Sequence, residues 1–414
     1  MTPTRRSLLL AAALAPLAGT VARAAEPDLA GLRDLTTGVP AIGADERRAR
    51  LARAQALMRA QGIGAVLVES GSSLTYFTGV RWGRSERLTA AVLPVEGDPV
   101  LVTPFFEEPS VRETLGVPAE VRTWQEDEDP ARVIAGVLRD RKLKSHPIGV
   151  EETVRFFAID GLRRAMPDAR LVSANPVVRA VRMRKTAAEL ALMQAATDVT
   201  IAAYRWVHPR VEAGMIGADV AALMNAATAK LGGAPEFALV LIGEASAYPH
   251  GSKQVHRVAD GQVVLMDCGC TVGGYQSDVS RTFVHGTASR QQRTVWDQVQ
   301  RGQQVAFAAA RLGATAGSVD DAVRGYYASL GYGPGYKLPG LSHRTGHGIG
   351  MDGHEPVNLV HGETTPLDVG MCFSDEPGLY LPGSFGVRLE DCFHMTEAGA
   401  KWFSEPPRSL EQPV

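Results

Sequence analysis

The sequence predicts two domains in series, an α/β domain over residues 40–180 and an α+β domain over residues 181–405. Three observations lead there. At 414 residues the chain exceeds the size at which one hydrophobic core stops growing. In the first half, helical periodicity alternates with short apolar runs, the pattern of an α/β layer. In the second half, helical stretches are interleaved with hairpin signals, and every cluster of acids and histidines lies there.

Residues 1–24 read as a signal rather than as part of the fold. Arg5 and Arg6 precede an apolar stretch from Leu8 to about Val21, and Ala22-Arg23-Ala24 forms a small-x-small end, with the cut expected before Ala25. The arginine pair before a mild, alanine-rich stretch suggests the twin-arginine route and a periplasmic destination. Shortness and Pro16 disfavour an uncleaved anchor helix. Since no other segment is apolar enough to span a bilayer, no membrane association is expected after signal cleavage.

The first domain begins with "ADERRARLARAQALMRAQG", which has helical periodicity and closes on Gly62, followed by the buried strand "GAVLVES". "LTAAVLPVEGDPVLVTP" reads as two strands around the turn Glu96-Gly97-Asp98-Pro99. Helices at "DPARVIAGVLRDRK" and "VRFFAIDGLRRAMP" alternate with strands at "HPIGVEE" and "ARLVSAN". Near residue 180 the basic residues Arg179, Arg182, Arg184 and Lys185 lead into a long helix that starts near Thr186, with Glu189 completing a capping box. Further helices are expected at "ADVAALMNAATAKLG", "RQQRTVWDQVQRGQQVAFAAARL" and "SVDDAVRGYYASLG".

Hydrophobic residues make up 45% and charged residues 21%, an ordinary soluble composition, and the formal charge of -2 gives no reason to expect nucleic acid. No repeat of solenoid length is visible. The four cysteines, Cys268, Cys270, Cys372 and Cys392, sit in apolar strand-like runs, where they are expected as buried free thiols rather than disulfides.

The chemistry begins with "GQVVLMDCGCTVGGYQSDVSRTFVHG", a hairpin signal. A turn at Val272-Gly273 would set Asp267 across from Asp278, and one at Gly273-Gly274 would make them diagonal neighbours. Both registers keep the side chains on one face, roughly 5–8 Å apart. Like charges held so close repel, and without a cation one of them should stay protonated. "MCFSDEPGLYLPGSFGVRLEDCF" repeats the device: an odd loop centred on Gly383 puts Glu376 and Glu390 on one face. Asp391 then turns away, and Arg388 shares the Glu390 face, from which it could brace a carboxylate.

In "SHRTGHGIGMDGHEP", His343 and His347 have the spacing of a helical metal pair, but Gly346, Gly348, Gly350 and Gly353 argue against a helix. Two aspartates, two glutamates and one histidine still form a sensible set. Four carboxylates balance two divalent cations, which bridging carboxylates hold about 3.5–4 Å apart. An oxygen-rich shell with one imidazole suits Mn²⁺, Co²⁺ or Zn²⁺.

Together the segments "MDCGCTVGGYQSDVSRTF", "HRTGHGIGMDGHEP", "SDEPGLY" and "GVRLEDC" resemble the pita-bread metallopeptidases, and among them the Xaa-Pro peptidase branch of aminopeptidase P and prolidase. The resemblance covers essentially the whole chain after the signal. It implies a creatinase-type α/β N-terminal domain, then a pita-bread catalytic domain with a curved antiparallel sheet. It also implies two divalent metal ions, manganese foremost, bound by Asp267, Asp278, His347, Glu376 and Glu390, with Asp278 and Glu390 bridging. Glu376 would be the general base, with His354 and His250 as catalytic histidines facing the substrate, and His343 with Arg388 as substrate-binding groups. Proline-containing peptides are the implied substrates, a homodimer the implied assembly, and Trp82 a residue that could reach a partner's active site.

Dipeptide-only prolidases carry an arginine between the downstream histidine and the EPG glutamate. Residues Glu355 to Asp375 contain no arginine or lysine, which favours an Xaa-Pro aminopeptidase of some breadth unless Arg344 substitutes. A creatinase-like hydrolase, which lacks the metal set, and a non-catalytic binding protein are disfavoured by the complete set of five ligands. Methionine aminopeptidase is disfavoured by the N-terminal domain and the export signal.

Overall fold

A computed structural model describes residues 27–414, so the signal expected at residues 1–24 lies outside the described residues. The first helix, Ala44–Gln61, ends at Gly62 with φ 66°, a left-handed cap that glycine adopts without strain. The six-stranded sheet that follows is ordered Glu120–Trp124, Val100–Pro104, Ala90–Pro94, Ala65–Glu69, Ile148–Val150, Leu171–Ser173. The sheet is mixed. Strand Ala90–Pro94 pairs antiparallel with both its neighbours, and the other three pairings are parallel. Alternation along Ala65–Glu69 sends Val66 and Val68 into one core with Met58 and Val181, and Ala65 and Leu67 into another with Ile134 and Leu162.

Helix Asn175–Arg182 leads to the seam between the domains. Thr186 caps helix Ala187–Val207 in the expected capping box with Glu189.

In the second domain all strand pairing is antiparallel. One sheet is ordered Val279–His285, Gln262–Val272, Ala234–Ile242; a five-stranded sheet runs Glu355–Leu359, Gly346–Gly348, Cys372–Asp375, Asp391–Thr396, Gly399–Trp402. A bridge between Ser280 and Glu390 joins them. Helices Ala187–Val207 and Gly217–Lys230 pack in one core, and Arg290–Ala309 with Ala316–Ser329 in another. Of the metal-ligand candidates, Asp267 and His347 are carried on strands, and Asp278, Glu376 and Glu390 stand one residue outside strand ends. Cys268, Cys270, Cys372 and Cys392 are all buried free thiols.

Candidate metal centre

The turn of the first hairpin is Gly273-Gly274, with φ 59° and 85°, as a two-residue turn matched to strand twist requires. That register pairs Asp267 with Ser280, so Asp267 and Asp278 are diagonal neighbours on one face. In the second hairpin Asp375 pairs with Asp391 and Leu381 with Phe385, a register centred on Gly383 that brings Glu376 and Glu390 together. Asp391 turns the other way, into a buried ion pair with Arg281 at 2.7 Å. His347 lies on the short strand Gly346–Gly348, not on a helix.

All five predicted ligands converge. Ligand atoms of Asp267, Asp278 and Glu390 lie within 4.8 Å of one another, as do those of His347, Glu376 and Glu390. Asp278, His347 and His354 form a third such group. His347 Nδ1–H donates to the Gly348 carbonyl at 3.0 Å, which leaves the Nε2 lone pair free to bind a metal. Asp267 Oδ1 and Glu390 Oε1 are buried with no hydrogen-bond partner among the described residues. An orphaned, buried carboxylate oxygen costs several kcal/mol unless a cation or proton meets it, so this donor set fits a metal pair.

The electrostatics agree. Burial, then the Asp267 charge, pushes the Asp278 carboxyl well above the usual range. Burial, then Asp278, does the same to Glu390. Burial raises Glu376 to about 7, with Arg388 pulling the other way. A metal-free site of this kind holds protons where divalent cations would sit.

The centre lines a cleft of about 620 Å³, together with His250, His343, Arg344, His354 and Arg388. His343 donates from Nδ1 to the Arg344 carbonyl at 2.7 Å and accepts from Tyr380 Oη at 2.7 Å. Burial and then Arg388 lower it to about 3, which keeps it neutral. Arg388 does brace a carboxylate, but that of Asp267, at 2.5 Å and through one nitrogen. Its other nitrogens reach Ser280 Oγ, the Pro249 carbonyl and Tyr380 Oη. Arg388 thus holds the cleft wall and the His250 loop together, a structural duty beyond its predicted substrate-binding role. Trp82 packs partly against the first-domain core.

Sequence reasoning missed two participants. Tyr380 links Arg388 to His343, and Ser280 donates to Glu390 Oε2 at 2.7 Å. Ser280 was legible as the residue paired with Asp267 once the Gly273-Gly274 turn is chosen. Tyr380 carried no signal, because an aromatic residue in a strand usually means core.

A two-domain chain with five convergent candidate metal ligands in a cleft has the makings of a metal-dependent hydrolytic centre. The Metallopeptidase family M24 matches residues 191–397, and the Creatinase/Prolidase N-terminal domain matches residues 50–184. A protein of Mycobacterium tuberculosis named probable dipeptidase PepE is 34% identical over 374 residues, 87% of this chain and 95% of that protein. The Xaa-Pro dipeptidase of Lactobacillus helveticus is 31% identical, covering 82% of this chain and 92% of its own. The crystal structure of dipeptidase PepE from Mycobacterium ulcerans superposes with a TM-score of 0.82 at 32% identity, over 90% of this chain and 99% of that one. The chain belongs to metallopeptidase family M24; it is a peptidase with the pita-bread catalytic domain and the creatinase-type N-terminal domain.

Proposed function

We propose that the protein hydrolyses the Xaa-Pro bond of short proline-containing peptides, with dipeptides preferred, using two manganese ions held by Asp267, Asp278, His347, Glu376 and Glu390. The observation that carries this reading is the convergence of those five side chains, two of them with orphaned buried oxygens, in one cleft. The aminopeptidase expectation is narrowed for two reasons. The two curated relatives described above are named as dipeptidases. Arg344 lines the cleft with no acidic partner among the described residues, so a free substrate carboxylate has a guanidinium to meet. Twin-arginine export to the periplasm and a homodimer belong to the same reading; Arg5 and Arg6 support the first, and the family resemblance supports the second. Among the described residues no helix is long and apolar enough to cross a membrane.

When bound, the cations supply Lewis acidity at the scissile carbonyl and an activated water. Glu376, which lines the cleft beside the other candidate ligands, would take the proton from that water as general base. His354 and His250 face the same cleft, where they stabilise the oxyanion and deliver a proton to the leaving nitrogen. That nitrogen belongs to a tertiary amide with no N–H, so a proton donor is essential.

The test is hydrolysis of Ala-Pro and Ala-Pro-Ala by stripped protein reloaded with Mn²⁺, Co²⁺ or Zn²⁺. Faster cleavage of the dipeptide, only after reloading, supports the reading. Faster cleavage of the tripeptide returns it to an aminopeptidase, and cleavage of neither with any metal removes it.

A further inference from the structure

His354 handles a proton in the reading above, yet its imidazole makes no hydrogen bond to any described residue; it touches the His347 ring edge-on, centroids 4.1 Å apart. Its placement must therefore come from its backbone. The next residue supplies it. The Glu355 carboxylate is 5% exposed and accepts from the N–H groups of Met351 at 3.0 Å and Asp352 at 3.2 Å, folding the loop onto itself. The same carboxylate receives Arg182 at 2.6 Å and Lys185 at 3.0 Å. Arg182 continues to Asp352 at 2.7 Å and to Ser73 Oγ at 3.0 Å, and Ser72 Oγ donates to Asp352 at 2.5 Å.

The parts of this knot have different origins. Arg182 and Lys185 belong to the segment between the domains, and Ser72 and Ser73 open the first-domain helix Ser72–Thr78. Only the loop itself lies in the stretch matched by the metallopeptidase family; Arg182 falls within the N-terminal-domain match and Lys185 just past its end. It passes so close that a Cβ at Gly350 would stand 2.7 Å from Lys185 Cε and 2.8 Å from both Glu355 oxygens. Four donors on one buried carboxylate, two of them cationic, make a rigid anchor.

We infer that Arg182, Lys185 and Glu355 are positioning residues for His354. The first domain and the linker, not the catalytic sheet alone, set where that imidazole stands over the cleft. The inference rests on the proton-handling role given to His354 above. Displacement of a catalytic group by about 1 Å can cost up to about 10²-fold in rate.

The experiment is a mutant cycle on full-length, Mn²⁺-loaded protein with Ala-Pro as substrate. The variants are Arg182→Met, Arg182→Lys, Asp352→Asn, His354→Ala and the double variant Arg182→Met with His354→Ala. Arg182→Met is expected to lower kcat by about 10- to 100-fold with KM and metal content nearly unchanged, and Arg182→Lys to recover most of it. In the His354→Ala background, Arg182→Met should add less than about twofold, because the positioned group is gone. Losses that multiply in the double variant, or an unchanged kcat in Arg182→Met, would overturn the inference. Should Arg182→Met fail to fold, the same cycle with Asp352→Asn decides it, since that side chain is 47% exposed and its loss is milder. Full kcat in His354→Ala alone would remove the role itself, an outcome separate from either result of the cycle.

Discussion

His347 Nε2 stands 3.4 Å from Glu376 Oε1, with its ring proton committed to Nδ1 and the Gly348 carbonyl. A lone pair thus faces a carboxylate, with Asp278 Oδ2 only 3.6 Å from the same nitrogen. Acceptors set face to face in a buried site call for protons or a cation between them. The strands bring them there because the Glu376 N–H donates to the Thr345 carbonyl at 2.9 Å, tying the EPG turn to the start of the histidine strand.

Replacing that imidazole should therefore unload the site. His347→Ala is expected to bind less metal than the parent at equal free Mn²⁺ and to lose at least about 10²-fold in kcat/KM, the several kcal/mol that a Lewis acid supplies. Elemental analysis beside Ala-Pro kinetics checks both. Full metal occupancy with lost activity would move His347 from ligand to substrate contact.

The stability of the stripped protein should fall as pH rises. A carboxyl whose folded pKa is raised binds its proton more tightly when folded, so its stabilisation is present below the unfolded value and is lost through the folded one. For Glu376 that window runs from 4.5 to about 7, and burial shifts Asp278 and Glu390 in the same direction. Glu355, held down to about 2 by Lys185 and Arg182 against burial, titrates below this window. The Tm of stripped protein should thus drop between pH 5 and 8. The Tm gained on adding Mn²⁺ should grow over the same range, since the metal displaces those protons. A pH-independent gain would contradict the metal-ligand assignment of these carboxyls.

Tyr380→Phe removes a hydroxyl that accepts from Arg388 and donates to His343. The buried donor and acceptor left behind should cost about 1–3 kcal/mol of stability. With His343 free to turn, KM for Ala-Pro should rise more than kcat falls. Denaturant titration and steady-state kinetics read the two effects separately.

Asp391→Ala leaves the Arg281 guanidinium, 1% exposed, without its partner. Loss of one side of a buried pair costs about 3–5 kcal/mol. Arg281 also donates to the Glu390 carbonyl at 2.8 Å, so metal affinity should weaken with stability. Urea unfolding with and without Mn²⁺ tests this: a stability loss with unchanged affinity would confine Arg281 to folding.

Sequence spacing alone carried much of this protein. Period-two alternation on apolar strands put Asp267 with Asp278 and Glu376 with Glu390, because a hairpin is local and its turn sets its register. The Thr186 capping box, the Gly62 stop and the turn at Gly97 were legible for the same reason, each depending on neighbours a few residues away. The choice between a Gly273-Gly274 and a Val272-Gly273 turn, the mixed order of the first sheet, and the target of Arg388 were not. The last two are settled by which segments pack together over long separations: Arg388 reaches Asp267 across 121 residues, and Arg182 reaches Glu355 across 173. The sequence by itself determined the two carboxylate pairs, Asp267 with Asp278 and Glu376 with Glu390, because hairpin spacing is a short-range property, while His347 entered the candidate set through the family resemblance. Only the tertiary structure decided what holds them, because a buried guanidinium bonds the acceptors that folding brings to it, whatever their distance along the chain.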